Sequence, residues 1–147
     1  MTAFFNNSLR IIMEKRFGFP KEEHLTSKII IDKLYKEGES IVSFPLRAVF
    51  IPIEPEEKQP TAAILINVAK KRFRHAVDRN LIKRRIREAY RINKPLFIDE
   101  LRGMNKNMAV AILYIDNRHS STEFLKRKMA KLLSAIIEKE KKECANS

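Results

Sequence analysis

Apolar and polar positions along the chain alternate with two periods, and the changes of period mark its elements. From Lys21 to Glu37 the apolar residues Leu25, Ile29, Ile31, Leu34 and Tyr35 recur at helical spacing. A first helix is expected there, with Thr26 as a cap residue and Gly38 as its stop. Ile41 to Ile53 is rich in β-branched and aromatic residues, and Pro45 and Pro52 make it a strand at an edge or near its ends. The segment PEPEEKQP, Pro52 to Pro60, reads as an extended turn. Ala62 to Ala69 is a short apolar run between polar residues, the pattern of a buried strand, and Met108 to Ile115 repeats it.

Between those two strands the period returns to helical. From Val77 to Asn93, Ile82, Ile86, Ala89 and Tyr90 fall on one stripe at ~100° per residue. This helix is expected to end before Pro95, with a separate short helical turn from Pro95 to Arg102 and a break at Gly103. A last helix carries Leu125, Met129, Leu132, Leu133 and Ile136, opened by a capping box of Ser120 and Glu123. The order α-β-β-α-(α)-β-α predicts an α+β fold, a single small sandwich of one central sheet and packed helices. Residues 1–20 are expected to form a flexible N-terminal extension, with Met13 as an alternative start. Residues 21–137 then form the domain, and 138–147 a lysine-rich tail that frays.

Charge sharpens this picture. Lys70 to Lys94 holds eleven Lys or Arg residues against two acids, Asp78 and Glu88, which is +9 of a net +12. Lys83, Arg84, Arg87 and Arg91 gather opposite the apolar stripe, with Asn80 among them, while Asp78 suits the positive end of the helix dipole. A solvated face usually mixes signs, and the i, i+4 pairs Lys83/Arg87 and Arg87/Arg91 repel. A face of one sign fits a polyanion, and nucleic acid is the partner it suits best. A basic membrane-surface helix would need a broader apolar stripe and interfacial Trp, which this chain lacks.

Other chemistries find little support. Cys144 is the only cysteine, so neither an internal disulfide nor a thiolate metal cluster can form. His24, His75 and His119 lack ligand spacing. Asp32, Glu54, Asp99 and Asp116 are scattered, without the paired spacing a two-metal nuclease requires. Three glycines cannot build a phosphate-cradling loop. No apolar run approaches the ~18 residues that a membrane span needs, and MTAFFNNSLRIIMEKR is too polar for a secretory signal, so a cytoplasmic protein is expected.

The ordered motif in the basic segment resembles the protein component of bacterial ribonuclease P. Lys70-Lys71 closes a strand, followed by Ala76-Val77, Arg79-Asn80, Ile82-Lys83-Arg84 and Ile86-Arg87-Glu88. The family's helix typically opens with Arg-Asn-Arg; here the third position is Leu81, and Arg84 and Arg85 are neighbours that could substitute. The likeness extends more weakly from about Lys21 to Ile137, with Ile31 and Tyr35 where the family often has two Phe residues.

The resemblance implies a subunit that assists removal of the 5′ leader from precursor tRNA. Hydrolysis and its Mg²⁺ would belong to an RNA subunit, with no catalytic residue in this chain. It implies contacts to that RNA from Lys70, Lys71, Arg72, Arg79, Asn80, Lys83, Arg84, Arg87 and Arg91. Tyr35, Phe50 and Asn67 become candidates for a leader cleft between the sheet and the first helix; Phe50 suits an ordinary core position equally well. It also implies a left-handed β-α-β crossover, against a rule obeyed in ~98% of cases. A ribosomal or RNA-chaperone protein using the same helix, and a protein-only nuclease, are the competing readings.

Overall fold

The computed structural model describes residues 24–54 and 60–146. The elements are α1 (Lys28–Glu37), β1 (Glu39–Ser43), β2 (Leu46–Ile53), β3 (Ala62–Val68), α2 (Ala76–Gly103), β4 (Asn107–Tyr114) and α3 (Thr122–Asn146). The fold is α+β, as expected: one four-stranded sheet in the order β1-β2-β4-β3, antiparallel except for the parallel pair β3/β4 that α2 connects. Parallel neighbours require such a crossover.

Several boundaries differ from the sequence expectation. The single strand Ile41–Ile53 is a hairpin, because Pro45 occupies its turn after a cis peptide from Phe44 and cannot donate to a ladder. α1 starts at Lys28 rather than Lys21. Before it, His24 bridges Ile64 and the Leu25 N–H donates to the Ile64 carbonyl at 2.8 Å, so this stretch runs extended beside β3. Ser27, not Thr26, is the N-cap residue. Gly38 does end α1, but for want of space: its φ is −68°, and a Cβ there would lie 2.3 Å from the Leu34 carbonyl oxygen.

α2 does not stop before Pro95; it continues through the proline to Gly103. An interior proline ordinarily costs ~3 kcal/mol. Ending the helix there would expose Phe97, Ile98 and Leu101, all buried, a comparable loss for each large side chain. Asn93 also braces this turn, its Nδ2 donating to the carbonyls of Ala89 (2.8 Å) and Lys126 (3.1 Å). The cap of α3 is Ser121, whose Oγ accepts the Phe124 N–H at 3.2 Å; Ser120 is buried instead and bonded to the Tyr114 hydroxyl.

Side-chain parity divides the core. Leu46, Ala48 and Phe50 of β2 join Met108, Val110 and Ile112 of β4 beneath α2 and α3. Val49, Ile51, Ala63, Ala109 and Ala111 face the other way and meet Leu34 of α1. The lysine-rich tail is helical, as α3 runs to Asn146. Ile136 and Ile137 are buried, Glu140 is 1% exposed and pairs with Lys106 at 2.7 Å, and Lys139 and Lys141 reach Glu39 and Glu100. The flexible extension expected at residues 1–20 lies outside the described residues.

Removing Lys106 would strand the Glu140 carboxylate in a nearly dry site. Lys106→Met is expected to cost about 3 kcal/mol, since breaking a buried pair on one side leaves an uncompensated charge. Adding Glu140→Gln should recover part of that loss. Urea denaturation of the single and double variants measures both.

Candidate nucleic-acid interface

The approach to α2 is shaped by its own arginines. Arg79 Nη1 donates to the carbonyls of Phe73 (2.9 Å) and Arg74 (3.0 Å), folding residues 70–75 back onto the first helical turn. Phe73 is buried against the rings of Tyr114 and His119, and Arg72 reaches the Asn117 Oδ1 at 3.3 Å. Asp78 faces His119 at 3.3 Å. Lys70 and Lys71 are thereby presented from a braced loop, both exposed.

Along α2, Ile82, Ile86, Ala89 and Tyr90 are fully buried, as their spacing predicts. Asn80, Arg84 and Arg87 are exposed, and Lys83 is half-buried. Arg85 does not stand among them. It turns toward α3 and donates to the Ser120 carbonyl at 2.8 Å, so it is not free to replace the missing third Arg at Leu81. Arg91 holds Glu88 in a two-pronged pair at 2.6 and 3.0 Å. That bond keeps the Glu88 carboxyl below the usual carboxylate range, with Lys126 adding to it, and raises Arg91. Of the nine cationic-segment candidates, Lys70, Lys71, Asn80, Lys83, Arg84 and Arg87 remain on offer to a partner. Arg72, Arg79 and Arg91 already serve the fold.

A second feature lies on the opposite face of the sheet. Strand register aligns Val42 with Arg47, Arg47 with Leu113, and Leu113 with Asn67, one continuous row across all four strands. The next row inward, Val49 and Ala111, is buried with Leu34 of α1. The outer row is open: Val42 is 57% exposed, and Arg47 and Asn67 are exposed. Tyr35 on α1 is 48% exposed, and burial of the rest of the side chain pushes its hydroxyl pKa up. Tyr35 and Asn67 therefore share this side of the sheet. Phe50 does not. It is 1% exposed on the α2/α3 side beneath the Lys139 ammonium, so it has no free face for a base. Parity within β2, which only the hairpin register fixes, separates Phe50 from the open row. The same register adds Arg47, which sequence reasoning missed because nothing in its neighbours distinguishes it from a surface residue of a half-exposed strand.

Among the described residues no three His, Cys, Asp or Glu side chains gather in a way that could hold a metal ion, and no helix is long and apolar enough to cross a membrane.

The family model for ribonuclease P matches residues 19–136. The chain belongs to the ribonuclease P protein family. It is 37% identical to the ribonuclease P protein component of Porphyromonas gingivalis, over 82% of this chain and 87% of that one. To the Chlorobium phaeobacteroides protein of the same name it is 29% identical, over 92% of each. The fold is also that of solved ribonuclease P proteins. The Staphylococcus aureus structure superposes with a TM-score of 0.60 at 18% identity, covering 78% of this chain and 94% of that one. The Thermotoga maritima structure gives 0.55 at 21%, covering 75% and 94%.

Glu88 and Arg91 provide a test of the local electrostatics. A carboxyl whose folded pKa is depressed stabilises the protein above its unfolded value of ~4.3 and loses that contribution as pH falls through the folded value. The Glu88 carboxyl carbon should therefore titrate, by NMR, at lower pH than an ordinary glutamate, ~4.3. Arg91→Gln should move it back toward the ordinary value.

Proposed function

We propose that this chain is the protein subunit of ribonuclease P, binding the catalytic RNA through α2 and the 5′ leader of precursor tRNA along the open row. The observation that carries this reading is the placement of two unlike surfaces on opposite faces of one sheet. The cations of α2 accompany the helix layer, and the row Val42–Arg47–Leu113–Asn67 lies on the α1 side. A protein so built can hold two RNA segments at once.

On this reading Lys70, Lys71, Asn80, Lys83, Arg84 and Arg87 meet phosphates of the RNA subunit. The row offers Arg47 for a leader phosphate, Asn67 for a base edge and Tyr35 for stacking. Stacking is tolerant of sequence and worth ~1–3 kcal/mol per base, which suits leaders of varied composition. The hydrolytic step and its Mg²⁺ are assigned to the RNA subunit. This chain contributes positioning and charge neutralisation, and the setting is cytoplasmic.

Arg84→Ala/Arg87→Ala should weaken binding to the RNA subunit and flatten the slope of log affinity against log salt by about one unit per lost phosphate. Filter binding across a KCl series reads this, and an unchanged slope would mean that α2 faces solvent in the complex. The chain alone should leave precursor tRNA intact at any Mg²⁺ concentration, and cleavage should appear when the RNA subunit is added. Cleavage by RNA-free protein would move the chain to the protein-only nucleases.

Tyr35→Ala should weaken precursor tRNA by about 1–3 kcal/mol while leaving mature tRNA unchanged, because only the precursor has a leader. Comparing both affinities in the reconstituted holoenzyme tests it, and equal losses would reassign Tyr35 to packing.

A further inference from the structure

The charge of this molecule is not confined to α2. On the first turns of α3, Phe124, Arg127, Lys128 and Lys131 follow the i, i+3, i+4, i+7 spacing and form one outer stripe. It lies opposite Leu125, Met129, Leu132, Leu133 and Ile136, which are buried. The Phe124 ring has the Arg127 guanidinium 5.8 Å from its centre and the Lys128 ammonium 5.4 Å away. Arg127 and Lys131 are exposed, Phe124 and Lys128 partly so. The carboxylate of Glu123 pairs with Lys126 instead, at 3.2 Å. Among the described residues no carboxylate lies within ion-pair distance of Arg127, Lys128 or Lys131.

We propose that this stripe is a second RNA-docking surface and that its occupant is the RNA subunit. Like charges one helical turn apart repel, as Arg127 and Lys131 do, and a polyanion relieves that repulsion. The Phe124 ring gathers both cations over its face and so holds the two charges together, ready for neighbouring phosphates of one strand. A lipid surface would need a broad apolar stripe, whereas Phe124 is the single apolar residue of this one. Position selects the RNA subunit over the substrate. α3 covers the sheet face opposite to the open row, so an RNA held along that row meets the other side of the molecule.

The stripe is also separate from the α2 surface. Arg85 and Asn93 mark the side of α2 turned to α3, and at ~100° per residue Lys83, Arg84 and Arg87 point roughly the opposite way. A folded RNA that reaches both would grip the α2–α3 pair from two sides.

This inference rests on the chain being a ribonuclease P subunit. The test uses the full chain and the ribonuclease P RNA of the same organism, transcribed in vitro. Arg127→Ala/Lys128→Ala/Lys131→Ala should weaken RNA binding and make the log–log salt slope shallower by ~2–3. Phe124→Leu should weaken binding with little change in slope. At saturating protein, the holoenzyme carrying the triple variant should bind precursor tRNA normally. An unchanged slope alongside a flattened one for Arg84→Ala/Arg87→Ala overturns this inference alone, while unchanged slopes in both overturn the underlying reading. A loss confined to precursor binding overturns the choice of occupant. Melting curves accompany each variant, and if the triple variant melts early, Arg127→Gln/Lys131→Gln answers the same question.

Discussion

The cationic face of α2 exists because an apolar seam on the other side of the helix outweighs the repulsion within it. Ile82, Ile86, Ala89 and Tyr90 are fully buried. Each large side chain among them contributes roughly 1.5–3 kcal/mol by leaving water. The like-charge pairs Lys83/Arg87 and Arg87/Arg91 each cost only ~0.2–0.5 kcal/mol. Burial wins several-fold, so the seam sets the rotation of the helix and the cations must face outward. Glu88 softens the arrangement further by pairing with Arg91.

The same seam explains why a basic segment this dense is not uniformly a binding surface. A helix packed on a core has flanks, and side chains there meet the neighbouring elements. On one flank Arg85 binds the Ser120 carbonyl just before α3, and Asn93 binds the Lys126 carbonyl within it, tying α2 to α3. Arg79 folds the preceding loop onto the helix start. Guanidinium groups suit this work because they carry several donors in a rigid fork and remain charged while half-buried. Charge alone cannot distinguish an arginine that braces a loop from one that awaits a phosphate.

The sheet imposes the second division. Strand residues alternate between faces, so neighbours in sequence belong to different surfaces. Val49 lies under α1 and Phe50 under α2 and α3. α1 has ten residues, about 15 Å of helix, while strands of seven and eight residues run ~25 Å. Leu34 covers the middle of that face, and the row of Arg47 and Asn67 is left open.

By itself the sequence determined the α+β class, the buried stripe of α2, the two buried strands around it and the confinement of positive charge. Each of these follows from periodicity or composition, properties local to the chain. The ordered basic motif likewise sufficed to point to the ribonuclease P family. The hairpin at Pro45, the passage of α2 through Pro95 and the helical tail were decided by tertiary structure. In each, contacts with residues distant in sequence outweigh the local signal: the pairing of Leu46 with Tyr114, the burial of Phe97 and Leu101, and the Lys106–Glu140 pair. The same holds for the site. Arg84 and Arg87 could be named as candidates from the basic pattern, and Tyr35 and Asn67 from the family resemblance alone. The removal of Phe50, the engagement of Arg79 and Arg91, and the entry of Arg47 depend on which partner each strand and helix meets, and no local pattern encodes that.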